Sequence, residues 1–241
     1  MGISALDEIE SIVGKKIEMQ GVISEETAFN MLEIILFFRS KETIQHTKRT
    51  SKYADVLVHK MLESEKYRRD LINMDYKSII KVMTIHDIGK IGIGDDILFK
   101  PNSLSDKEFD KVKSHITLGL EILDSLFTDK ITGILAFENC RDIIRYHHER
   151  WDGSGYLEGL QGENIPLSAR IAAIADVYDA LTSERSYKKA SPHIEAVQII
   201  RHGAGSHFDP DIVNCFLCEK HKFKMILNNS NKERNTINFG G

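Results

Sequence analysis

The stretch Ile85-His86-Asp87-Ile88-Gly89-Lys90 constrains this chain more than any other. It follows Ile79-Ile80-Lys81-Val82-Met83, so Ile79, Val82, Met83 and His86 recur at i, i+3, i+4 and i+7. That period predicts one buried face of an amphipathic helix, with Gly89 as its stop. Such a face delivers an imidazole and a carboxylate side by side into an apolar interior, with a lysine one turn on. An isolated buried carboxylate is costly, so Asp87 requires a cationic partner. Lys90 would complete a His-Asp-Lys core cluster, and a metal ion would be a stronger partner. The other histidines decide between the two.

Glu42 and His46 stand at i and i+4 and share one helix face, a turn apart. Tyr53, Val56 and Leu57 continue that face inward. Further on, Ser105 and Glu108 have the spacing of a capping box. The helix they open is expected to carry Phe109, Val112, His115 and Ile116 near one face, where a single histidine is more often a satisfied core residue than a ligand. The segment 142–150 repeats the first design, an apolar helix ending in titratable groups. There His147 and His148 are adjacent, about 100° apart on a helix. They suit two different ions, or one ion and one supporting partner. Asp176 lies inside the apolar run 169–181, which Pro166 opens, and it too calls for a cation. Just beyond, residues 182–189 concentrate positive charge.

Those charges matter because the chain as a whole is not basic. Its 241 residues carry a formal net charge of −4, which gives no global attraction to polymeric nucleic acid or an anionic membrane. Any phosphate-bearing ligand must be held by a local positive site. The longest apolar run, Met31 to Phe38, is broken by Glu33 and is too short to span a bilayer. The first residues lack the basic and apolar regions of a signal peptide. Three cysteines fit a reducing compartment, so a cytoplasmic setting is expected. Cys215 and Cys218 form a CxxC with His221 nearby, but no second ligand pair follows to make a zinc knuckle.

The remaining segments punctuate readily. Residues 3–13 read as a short amphipathic helix, and a second runs from an N-cap at Ser24 towards Phe38. These could form a dimerisation hairpin, connect to an upstream sensor, or pad the main core. Ser191-Pro192 and Asp209-Pro210 read as helix starts, and Gly203 as a helix end. Residues 228–241 read as a polar, frayed tail. The expected organisation is a helical extension over 1–40, a main domain over 41–225 and a tail over 226–241.

Taken together, His46, His86-Asp87 and Asp176 give the order H…HD…D on helices. In this the sequence resembles the HD superfamily of metal-dependent phosphohydrolases, and more closely its HD-GYP subfamily of cyclic di-GMP phosphodiesterases. The resemblance runs from about Lys41 to Leu217. It rests on Glu42-Thr43 with His46, residues 86–93, His115, the run 147–156, residues 169–183 with Asp176, and His207-Phe208-Asp209-Pro210. One departure is plain: the family's Gly-Tyr-Pro is here Gly155-Tyr156-Leu157. Leucine does not fix φ as proline does.

The resemblance implies an all-α, HD-domain-like helical bundle. It implies metal ligands at Glu42, His46, His86, Asp87, His115, His147, His148 and Asp176, with Asp87 bridging two ions. It implies two or three divalent ions, with Glu42 ligating the third. Mixed nitrogen and oxygen ligation without thiolate suits iron first and manganese second. Lys90 would neutralise charge developing on the attacked phosphoryl group. Arg185 and Lys188 match positions that hold phosphate, and Tyr156 flanks the substrate. The implied reaction hydrolyses cyclic di-GMP to the linear dinucleotide pGpG and, by a second cut, GMP. The alternatives are another cyclic dinucleotide or nucleotide as substrate, or a catalytically weak receptor. The resemblance implies a signalling-protein partner at the Tyr156 loop; the N-terminal helices, which lie outside the resemblance, could pair with a second copy.

Overall fold

The computed structural model describes residues 25–39, 41–126, 135–184 and 189–238. Among these the chain is helical, with no strand beyond one isolated bridge between Ala204 and Phe208. The helix expected over 3–13, the Ser24 cap, Arg185 and Lys188 lie outside the described residues. No described helix is long and apolar enough to cross a membrane.

Helix α1 (Glu25–Arg39) packs Phe29, Leu32 and Leu36 inward and leads to the central helix α2 (Lys41–Leu62). Along α2, His46, Arg49, Thr50, Tyr53, Ala54, Leu57, Val58 and Met61 are buried, one continuous face at helical period. That face meets α9 (Leu167–Thr182) and the long C-terminal helix α11 (Pro210–Asn238). Tyr53 stacks on Phe223 with centroids 4.7 Å apart and stands edge-on to Tyr178 at 4.9 Å. These rings form a rigid floor one to two turns below His46. Helix α9 is buried on nearly every side, which its alanines allow by letting neighbouring backbones approach. The helix α8 (Leu135–Tyr146) closes the core against α9 and against α4 (Tyr76–Val82), with α3 (Glu65–Asn73) between α2 and α4. Ser105 and Glu108 do form a capping box, and α11 starts at Pro210 with Asp209 accepting from the Asp211 amide at 2.9 Å.

Three expectations are corrected. The helix before His86 does not continue to Gly89; α4 ends at Val82. The chain then tightens through successive i→i+3 bonds, Ile85 to Val82, Ile88 to Ile85 and Lys90 to Asp87, into a 3-10 turn over Ile88–Gly92. Ile79, Val82, Met83 and His86 are all buried as the period required. Gly89 serves close approach instead of a helix stop: a Cβ there would lie 1.8 Å from the His115 carbonyl oxygen. Second, the expected single helix through His115 is two, α6 (Asp106–Lys113) and α7 (His115–Leu126), broken at Ser114. Phe109 on α6 is exposed. Third, the tail expected to fray from Asn228 is helical to Asn238 in α11. The short α5 (Asp95–Leu98), a 3-10 turn over Gly162–Asn164 and α10 (His193–His202, capped at Gly203) complete the described elements, α10 starting just after Pro192.

Candidate metal centre

Three histidines direct Nδ1 at backbone carbonyls near the ends of helices. His86 lies just past the end of α4 and its Nδ1 faces the Met83 carbonyl at 2.8 Å. His115 lies just past the end of α6 and its Nδ1 faces the Val112 carbonyl at 2.6 Å. His147 follows α8, with Nδ1 2.8 Å from the Ile143 carbonyl. A carbonyl only accepts, so each Nδ1 carries a proton, and in the neutral ring Nε2 is left as the ligand atom. His46 is oriented by a carboxylate instead: its Nδ1 lies 2.8 Å from Asp179 Oδ2. Arg49 holds that carboxylate from two nitrogens, Nε to Oδ1 at 2.5 Å and NH2 to Oδ2 at 2.8 Å.

The Nε2 atoms of His46, His86, His115 and His147 are buried and have no hydrogen-bond partner; nor has Asp87 Oδ1. They converge on Asp87. Its Oδ2 lies 3.7 Å from His46 Nε2 and 3.5 Å from His86 Nε2. Its Oδ1 lies 3.5 Å from His115 Nε2 and 3.9 Å from His147 Nε2. Asp176 Oδ1 is 3.3 Å from His46 Nε2 and 3.9 Å from His86 Nε2. The donors fall into two groups, each with atoms within 4.8 Å of one another: Asp87, His115, His147 and His148, and His46, His86 and Asp176. Asp87 thus turns one oxygen to each group.

The electrostatics suit cations. Burial lowers His86 and holds His115 and His147 at about 4, against the opposing pull of Asp87, and His148 lies well below its ordinary range through burial and the neighbouring His147 and His115. These imidazoles are neutral, the ligating form. His46 is the exception: burial pushes it down, but the neighbouring carboxylates of Asp179, Asp87 and Asp176 prevail and raise it to about 9, so this ring must release its Nε2 proton to ligate. Burial opposes ionisation of Asp87, yet Lys90 and the histidines keep it well below the usual carboxylate range. Asp176 is lowered in the same way, against burial, by His46 and His86. Buried, unpartnered nitrogen and oxygen donors without thiolate fit borderline divalent ions such as iron or manganese.

The sequence-derived residues are therefore largely brought together. His147 and His148 fall in one group, not in separate ones. Lys90 Nζ lies 2.5 Å from Asp87 Oδ2. Tyr156 stacks on His148 at 4.8 Å and 23°. Glu42 is on the first turn of α2, but its side chain is outside the described part. Cys215 and Cys218 are free thiols and join no candidate metal group among the described residues.

Sequence reasoning missed Asp179, Arg49 and the role of Glu149. Asp179 lies three residues after Asp176, and Arg49 three after His46, so helical spacing held the signal. Glu149 is buried; its Oε1 accepts from the amides of Glu158 at 2.7 Å and Gly159 at 3.0 Å. It ties down the loop that carries Tyr156. The loop folds so closely that a Cβ on Gly155 would meet the Arg150 nitrogen at 2.4 Å.

Comparison with known proteins gives a consistent result. A family model described as an HD domain matches residues 30–212. A Vibrio cholerae protein named "Probable cyclic di-GMP phosphodiesterase" is 43% identical over 187 residues, covering 77% of this chain and 42% of that protein. A Thermotoga maritima cyclic di-GMP phosphodiesterase is 36% identical over 220 residues, covering 90% of this chain and 56% of its own. The 3'3'-cGAMP-specific phosphodiesterase 2 of Vibrio cholerae is 36% identical over 196 residues, covering 80% of this chain and 34% of that protein. This chain spans about half or less of the length of these relatives.

Proposed function

The chain belongs to the HD-domain family, in its HD-GYP branch, and we propose that it is a metal-dependent phosphodiesterase acting on a cyclic dinucleotide, cyclic di-GMP first. The observation that carries this reading is the convergence of four buried, unpartnered imidazole nitrogens on the two oxygens of Asp87. His46, His86 and Asp176 would hold one ion, His115, His147 and His148 a second, and Asp87 both. Glu42, one turn before His46, would ligate a third. Iron is the first expected metal and manganese the second. When bound, such ions supply Lewis-acid polarisation of the phosphodiester and lower the pKa of water.

The protein's own groups supply position and charge. Asp179, fixed by Arg49, accepts from Nδ1 of His46 and so directs Nε2 to the ion as the ligand atom. Lys90 stands beside Asp87, where its ammonium can meet negative charge developing on a phosphoryl oxygen. Tyr156 covers His148 and limits water on that side. Arg185 and Lys188 would hold the phosphates of the substrate. Water replaces one ester oxygen at phosphorus, opening the ring to linear pGpG; a second hydrolysis gives GMP.

The test is product chromatography on protein loaded with iron under anaerobic conditions, with cyclic di-GMP and 3'3'-cGAMP as parallel substrates. Metal content is measured on the same samples. Linear dinucleotide from wild type, and neither metal nor product from Asp87→Ala, is the expected result. Glu42→Ala should hold one ion fewer per chain. Tight dinucleotide binding without turnover in the loaded wild type would mark a receptor instead.

A further inference from the structure

Helix α6 buries none of its side chains, yet it carries Phe109, 44% exposed. A phenylalanine on a helix that contributes nothing to the core invites another explanation. Its ring stands 6.1 Å from that of Tyr156, edge-on at 79°. Lys113, one turn on, places Nζ 5.0 Å from the Phe109 centroid and 5.6 Å from that of Tyr156, while pairing with Asp110 at 2.8 Å. Tyr156 in turn lies flat on His148. The rings therefore run in series from the candidate metal group outward to solvent, through His148 and Tyr156 to Phe109.

We propose that Phe109 is a stacking shelf for a purine base of the dinucleotide, steadied by Tyr156 and Lys113; this rests on the proposed function. Two ring-to-ring steps separate Phe109 from His148, and a base lies about one nucleotide's reach from the phosphate it is joined to. Lys113 stands over one face of the Phe109 ring, and with the residue 44% exposed the base would stack on the opposite face. Every base has a π-face, so stacking of this kind holds guanine and adenine alike and sets purine against pyrimidine only by overlap area. The neighbouring ammonium adds attraction both to the rings and to the nucleotide's phosphate. The break at Ser114 fixes the shelf relative to the centre, since His115 is the next residue.

The experiment compares Phe109→Ala, Phe109→Leu and Phe109→Tyr in the full, iron-loaded chain. KM and kcat for cyclic di-GMP and metal content are measured on each. Phe109→Ala should raise KM roughly tenfold, the order a single base–aromatic stack carries. Phe109→Tyr should restore the wild-type KM, and Phe109→Leu, which covers Tyr156 without a π-face, should not. An unchanged KM in Phe109→Ala overturns the shelf, as does full rescue by leucine or loss of metal, each of which would make Phe109 a cover for Tyr156. If the loaded wild type processes no cyclic dinucleotide, the proposed function falls and takes the shelf with it. That outcome is separate from a wild type that turns over and a variant that matches it.

Discussion

Asp179 controls a single proton. Held by Arg49 from two nitrogens, it keeps the proton of His46 on Nδ1. In Asp179→Asn the side chain must either turn its amide towards His46, moving the proton to Nε2, or turn it towards Arg49 and lose that clamp. Both weaken the His46–His86–Asp176 group. We expect metal affinity there to fall by about 10- to 100-fold, as when other supporting partners of ligating histidines are removed. The group around His115 should fill normally. Metal titration on anaerobic protein would show one transition displaced and one retained. Asp179→Ala is a worse probe, because removing the carboxylate from a buried Arg49 would cost about 3 kcal/mol or more. At this scale the histidines were legible because each ends an apolar, periodic run. Asp179 was not, because its value arises from a contact across 133 residues of sequence that no local pattern announces.

Helix boundaries were harder to read than helix faces. The recurrence of Ile79, Val82, Met83 and His86 is the same for a helix that continues and for one that tightens, so burial was legible and the tightening was not. What decides it is distant: the turn at Gly89 lies against the start of α7. Gly89→Ala would drive a methyl into the His115 carbonyl and towards the Gly119 nitrogen. We expect a loss of roughly 2–4 kcal/mol in chemical unfolding, at the upper end for overpacking because backbone on both sides must move. Helix α8 gives the pH-dependent case. Burial, followed by Glu138, raises Asp142 from 3.8 to about 6. The folded chain therefore binds this proton more tightly than the unfolded chain, and stability falls as pH rises from about 4 to about 6. Asp142→Asn should recover about 1 kcal/mol at pH 7, a figure reduced for the side chain's partial exposure, and nothing below pH 4. Thermal melts at the two pH values would check the sign.

At the scale of the whole molecule, the candidate ligands come from α2, the 86–87 turn, the α6–α7 junction, the end of α8, and α9. Only the assembled bundle brings them together, so ions should bind the folded chain and not the unfolded one. A hundredfold excess of metal over its Kd should stabilise the fold by about 3 kcal/mol, and a chelator should reverse the rise in Tm. In Asp87→Ala the melt should no longer depend on metal. The all-α architecture was legible because its long helices are strongly periodic. The pairing of α2 with α11 was not, since it depends on rings such as Tyr53 and Phe223 meeting across the fold. The bonds from three imidazoles to the carbonyls of their own preceding turns have one more consequence. They freeze those rings in their ligating rotamers as the helices form, so little side-chain entropy remains to be lost when an ion arrives. Calorimetry of metal binding should then give a heat-capacity change close to zero, with selection among metals set by donor preference and charge, not by the chain closing around them.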